Sequence, residues 1–133
     1  MRMGARLEGL DWIAADWGTS RLRVWAMAAD GRVLVGSASD RGMGQLDRAG
    51  FGPALLDIVA PWLGGGAPDP VPVLVCGMAG ARQGWAEAPY ADLPAPVSAI
   101  ATQALRLPPE KAGKRDIRIL PGLARRAPAR PDV

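Results

Sequence analysis

The sequence predicts an α/β domain: a three-stranded antiparallel meander extended by parallel strands, with flanking helices. Three observations carry this expectation. The N-terminal part holds three short β-type runs separated by turn residues. An amphipathic helical stretch follows them. After the helix comes a nearly continuous apolar run, Val71 to Cys76, of the kind a strand covered on both faces shows.

Trp12 to Ala15 is short and apolar and leads into Asp16, which makes it the first strand. Leu22, Val24 and Trp25 lie in a second run, and Asp30-Gly31 is a tight-hairpin signal before a third, Arg32 to Gly36. Ser37 to Gln45 is polar and punctuated by Gly42 and Gly44. From Gly52 to Leu63, Leu55, Leu56, Val59 and Leu63 recur at helical spacing, and Pro53 sits near the first turn, where proline is tolerated. Gly64-Gly65-Gly66 ends this helix. Residues 50–70 then form the crossover to Val71–Cys76, which is expected to run parallel to an earlier strand. Gly77 to Pro96 reads as a long irregular segment, and loops of that length are usually functional or disordered. A short helix is expected over Val97 to Leu105, stopped by Pro108 and Pro109, and a last strand over Asp116 to Leu120.

Composition narrows the chemistry. A chain of 133 residues, 49% apolar with a net charge of +3, suits one globular domain with its own core. The three arginines Arg125, Arg126 and Arg130 near the end lack interleaved aromatic residues, so they read as a solvated tail and not as a nucleic-acid site. No apolar run reaches membrane-spanning length, and Met1 to Leu10 lacks the apolar segment of a signal peptide. Cys76 is the single cysteine, which excludes a disulfide framework within the chain, suits a reducing cytoplasm, and reads as a small buried hydrophobe. There is no histidine, so proton transfer must use a carboxylate, lysine, tyrosine or water, and histidine triads are excluded.

Three stretches gather more chemistry than packing requires. In Asp16-Trp17-Gly18-Thr19-Ser20, a carboxylate ends a strand, and a glycine and two hydroxyls follow at once. Gly18 allows close backbone approach, successive N–H groups can form an anion-binding concavity, and Asp16 can hold Mg2+, usually through water. Stabilisation of the turn alone is the alternative reading. In Ser39 to Leu46, Asp40 and Arg41 precede the closely spaced Gly42 and Gly44, so the segment is either a plain loop or a place where Arg41 meets an anion. Cys76 to Tyr90 starts at the carboxyl end of the expected parallel strand, where ligands of open α/β sheets bind. Arg82 and Gln83 there suit a carboxylate and hydroxyls, while Trp85 and Tyr90 read equally as loop packing.

Taken together, "WIAADWGTSRLRVW", "SDRGMG", "CGMAGARQGWAEAPY" and "RDIRILPGL" resemble the 2-dehydro-3-deoxygalactonokinase family, of the superfamily shared by sugar kinases, actin and the heat-shock ATPases. The first block alone indicates only the superfamily; the second and third are far more specific. The resemblance implies a ribonuclease-H-like domain belonging to a two-domain kinase, with ATP and substrate in the cleft between domains. It implies transfer of the ATP γ-phosphoryl group to the 6-hydroxyl of 2-dehydro-3-deoxy-D-galactonate, a sugar acid of galactonate catabolism. By the resemblance, Asp16, Gly18, Thr19 and Ser20 form the phosphate and Mg2+ element, and Arg41, Gly42, Met43, Arg82, Gln83 and Trp85 lie on the sugar-acid side.

The same resemblance sets the domain expectation. Residues 1–10 are an extension, 11–123 an incomplete N-terminal kinase domain, and 124–133 a basic Pro-rich tail where a second half would continue. Members of the family run on past a segment like Pro131-Asp132-Val133 into an acidic block that supplies the general base, so the chain alone is expected to be inactive. A sugar-acid-binding or interaction module without catalysis, self-associating through the face the second half would cover, is the alternative from another class. A kinase for a related sugar acid is a third.

Overall fold

The computed structural model describes residues 5–64, 71–77, 84–86, 91–93, 104–112, 115–120 and 123–125. The meander is present as β1 (Trp12–Trp17), β2 (Leu22–Met27) and β3 (Val33–Ser39). Both pairings are antiparallel, with Trp17 opposite Leu22 and Leu22 opposite Ser39. Burial alternates along β1, so Ile13, Ala15 and Trp17 face the core while Asp16 faces away from it. The β2–β3 connection is one residue longer than the tightest hairpin. Ala28 N–H donates to Arg32 O at 2.9 Å, closing a loop in which Gly31 takes the left-handed conformation at φ +88°. Asp30 Oδ1 accepts from Arg32 N–H at 3.0 Å inside it, and the strand pairing shifts register between Ala26 and Met27.

Helix α1 spans Phe51–Leu63 and buries Phe51, Ala54, Leu55 and Val59. A 3₁₀ turn over Arg48–Gly50 leads into it, with Asp47 Oδ1 accepting the Gly50 N–H at 2.9 Å. The helix runs through Pro61, whose missing N–H costs one bond in the last turn, and it ends at Gly64 with φ +67°. Its apolar face covers Ile13, Ala15, Trp17, Leu22 and Val24 of the sheet in one cluster. Full burial of each Ile, Leu or Val side chain among them is worth roughly 1.5–3 kcal/mol. Residues before β1 dock on the same helix, since Leu7 N–H donates to Trp62 O at 2.8 Å.

Strand β4 (Val73–Gly77) runs parallel to β1, with Ile13 opposite Val73 and Trp17 opposite Gly77, as the crossover through α1 requires. The later part of the chain departs from expectation. The segment Gly77–Pro96 contains β5 (Ala91–Leu93), and Leu105, expected to end a helix, belongs to β6 (Leu105–Arg106). Residues 97–103 of that expected helix lie outside the described residues. Pro109 opens a short helix, α2 (Pro109–Ala112), as proline can at a first turn. The last expected strand is β7 (Ile117–Ile119), parallel to β4, and β8 (Leu123–Arg125) pairs with β5 in a separate two-stranded sheet. The main sheet has the order β3-β2-β1-β4-β7-β6, with β6 antiparallel at its edge.

Candidate functional site at the carboxyl ends of β1 and β4

β1 and β4 are parallel and end side by side, so Asp16 and Cys76, and then Trp17 and Gly77, are register partners. Across the other edge of β1, Asp16 pairs with Arg23 of β2. Arg23, Asp16 and Cys76 therefore form one row on the face of the sheet away from α1. Successive side chains of a strand alternate, so the same backbone sends Trp17 into the core. There its ring meets Phe51 at 4.8 Å between centroids and Trp85 at 5.8 Å.

The β1–β2 connection is closed by Gly18 N–H donating to Arg21 O at 2.8 Å. Asp16, Gly18, Ser20, Arg21 and Arg23 line an open cleft of about 280 Å³ beside it. The structure thus brings Asp16, Gly18 and Ser20 together, with Thr19 exposed in the same turn. It adds two guanidinium groups that the motif reading did not single out. Their signal was present in the alternation: with Leu22 and Val24 buried, Arg23 had to share the face of Asp16. Two arginines, a hydroxyl and a glycine suit phosphate oxygens, and the carboxylate between them suits a cation.

Among the described residues no group of three or more acidic, cysteine or histidine side chains gathers into a ready-made metal cage. Mg2+ ordinarily uses only one or two protein carboxylates and completes its shell with water and substrate phosphates. Asp16 beside an anion-suited turn matches that pattern.

Gly77 packs directly against Trp17 and Asp16 at the end of β1. Its φ is +90°, and a Cβ there would stand 2.4 Å from Trp17 O and 2.9 Å from Asp16 Oδ1. Both the conformation and the space demand glycine. Cys76, expected as a buried hydrophobe, is instead exposed, because strand alternation turns it away from the side on which Val73 and Val75 are buried. Its thiol donates to Asp16 Oδ1 at 3.9 Å, and partial burial of the sulfur, then the Asp16 charge, push the thiol pKa above its ordinary value.

The residues implied on the sugar-acid side fall in different places. Arg41 N–H donates to Ser39 Oγ at 3.3 Å, and the Arg41 guanidinium pairs with Asp57 of α1, both side chains being exposed. Gly42 is buried against the turn, and Met43 begins a 3₁₀ turn beside it. Trp85 is 2% exposed, stacked near Phe51 at 6.1 Å and 17°, and does not line the cleft. Arg82 and Gln83 lie outside the described residues.

Comparison with known proteins gives one consistent result. The sequence profile of a family described as 2-keto-3-deoxy-galactonokinase matches residues 16–133. The probable 2-dehydro-3-deoxygalactonokinase of Rhizobium meliloti (strain 1021) is 46% identical over 120 residues, covering 90% of this chain and 37% of that protein. The 2-dehydro-3-deoxygalactonokinase of Escherichia coli (strain K12) is 33% identical over 92 residues, covering 69% of this chain and 30% of its own length. A crystal structure of a protein assigned as a 2-dehydro-3-deoxygalactonokinase, from Sinorhizobium meliloti, superposes with a TM-score of 0.73 at 45% identity, over 92% of this chain and 38% of that one. The chain spans about a third of the length of these proteins.

Proposed function

The chain belongs to the 2-keto-3-deoxy-galactonokinase family, and on that premise we propose that its 133 residues form the phosphate-binding wall of an ATP-dependent sugar-acid kinase. The acceptor is the 6-hydroxyl of 2-dehydro-3-deoxy-D-galactonate. The observation that carries this reading is the cleft at the end of β1, where Asp16 faces Gly18, Ser20, Arg21 and Arg23. The sheet order with a meander on one side and parallel strands on the other supports a ribonuclease-H-like domain.

Phosphoryl transfer needs little covalent help from the protein. It needs the phosphates held in line and their growing charge matched. Arg21 and Arg23 supply positive charge, the Ser20 hydroxyl and that of Thr19 in the same turn supply donors, Gly18 lets the ligand approach the backbone, and Asp16 would hold Mg2+. Bound there, the metal would neutralise phosphate charge. In this reading Arg82 is the group that would face the substrate carboxylate or a hydroxyl, and Gln83, Arg41, Gly42 and Met43 lie on the same sugar-acid side, while Trp85 packs in the core against Trp17 and Phe51 without touching the ligand. A cytoplasmic setting supplies ATP, and no helix among the described residues is long and apolar enough to cross a membrane.

The test is a calorimetric titration of the chain with Mg-ADP and with the keto-deoxy acid, beside an assay for ADP release. Mg-dependent nucleotide binding that is lost in Asp16→Asn and weakened in Arg23→Ala is expected. Binding indifferent to both changes overturns the cleft assignment. ADP release at an ordinary kinase rate, about 1–100 s⁻¹, that is indifferent to the keto-deoxy acid overturns the sugar-acid reading.

A further inference from the structure

The segment from Ser39 to Gln45 does more than carry Arg41 toward a ligand. Its backbone is laid directly on the Gly18–Arg21 turn. Met43 N–H donates to Gly18 O at 2.8 Å and Gly44 N–H to Thr19 O at 2.8 Å, while the Trp17 indole N–H donates to Arg41 O at 3.0 Å. Gly42 fills the closest approach. A Cβ on it would stand 2.3 Å from Ser20 C, 2.4 Å from Arg21 N and 2.5 Å from Thr19 O. Its φ of −72° is open to any residue, so space and not conformation requires glycine here.

The start of this strap is fastened outside the cleft. Arg41 reaches across to Asp57, which stands on the exposed side of α1 and does not line the cleft. A chain of direct contacts therefore runs from Asp57 through Arg41 and Gly42 to the backbone of Thr19, Ser20 and Arg21. We propose that Asp57 is a positioning residue: by holding Arg41 it seats the strap, and the seated strap keeps the Gly18–Arg21 turn in its anion-receiving shape. This rests on the phosphate reading of the turn and adds a helix residue that sets the turn's shape without touching the ligand.

An exposed ion pair contributes little to global stability, so removing it leaves the fold in place while freeing Arg41. The test measures amide hydrogen exchange by NMR and Mg-ADP affinity by calorimetry in the wild-type chain, Asp57→Asn, Asp57→Glu and Gly44→Ala. Asp57→Asn is expected to speed exchange at Met43 and Gly44 by roughly two- to fivefold and to weaken Mg-ADP by a similar factor, the range an exposed pair allows. Exchange at Val24 and Val75 in the core stays unchanged, and Asp57→Glu restores both quantities. Gly44→Ala, whose Cβ meets Thr19 O at 3.2 Å, perturbs the same amides from the other end without depending on Asp57. Unchanged exchange at Met43 and Gly44 in Asp57→Asn, or a loss that glutamate fails to restore, overturns the proposal. If the wild-type chain binds no Mg-ADP, the phosphate reading falls, and the exchange data still decide whether Asp57 seats the strap.

Discussion

The thiol of Cys76 donates to Oδ1 of Asp16 across 3.9 Å, and the two residues are register partners on the parallel strands β4 and β1. The pairing places a neutral donor beside the carboxylate at the mouth of the cleft. A thiolate in that place would confront the Asp16 charge, which is one reason, after partial burial of the sulfur, that the thiol pKa lies above its ordinary value.

Alkylation of Cys76 follows from that direction. Only the thiolate attacks iodoacetamide, so near neutral pH Cys76 reacts more slowly than a free cysteine despite its exposure. Its rate keeps rising with pH after the free thiol has reached its plateau. Asp16→Asn removes one of the raising causes and shifts the pH–rate curve to lower pH. Mass-spectrometric rates over a pH series check this, and an unshifted curve in the variant contradicts it.

Two glycines with similar backbone angles separate conformational strain from steric conflict. Gly31 and Gly77 have φ of +88° and +90°, but a Cβ on Gly31 meets nothing within 4 Å, whereas one on Gly77 meets Trp17 O at 2.4 Å. Gly31→Ala is expected to cost about 1 kcal/mol, the penalty of left-handed backbone alone. Gly77→Ala is expected to cost at least about 2 kcal/mol more, because the backbone of β1 must also move. Urea unfolding followed by circular dichroism measures both, and equal losses would refute the steric account.

Trp85 is a load on the core. It packs against Trp17 and Phe51, so Trp85→Ala is expected to destabilise by about 3–5 kcal/mol, while Trp85→Phe retains much of that packing. Denaturant midpoints for the two variants decide. An alanine variant as stable as the wild type would return Trp85 to a role at the surface.

Asp116 is the one buried acidic residue among the described residues, and it sits at the β6–β7 edge. It accepts from Arg118 Nε at 3.1 Å and Nη2 at 3.3 Å and pairs with Arg106 Nε at 3.6 Å. Both arginines are substantially exposed, so solvent screens the pairs, and Asp116→Ala is expected to cost about 1–2 kcal/mol. Faster amide exchange at Leu107, which donates to Ile117 O at 2.9 Å, is the local readout. Thermal melts give the global one.

The regular parts of the fold were legible because their signals are local. The alternation at Ile13, Ala15 and Trp17, the helical spacing of Leu55 and Val59, and the apolar run ending in β4 each report one element without reference to any other. The connection to β3 was legible as a turn but not in length, since Asp30-Gly31 serves a three-residue loop as well as a two-residue one. Leu105 was placed in a helix from local pattern, and its pairing with Ile119 is a long-range fact that pattern does not carry. Arg23 could have been found from the phase of β2 alone.

What the sequence by itself determined is the meander, the helix and the parallel strand that follow it, and the gathering of Asp16, Gly18, Thr19 and Ser20 into one turn, because neighbours in the chain cannot be far apart. Only the tertiary structure decided which residues at a distance meet that turn. It set Gly42 against Ser20, Arg41 against Asp57, and Cys76 beside Asp16, and it sent Trp85 into the core. These outcomes depend on strand order and register, which are set by burial of the whole core at once and leave no mark in any single stretch of the chain.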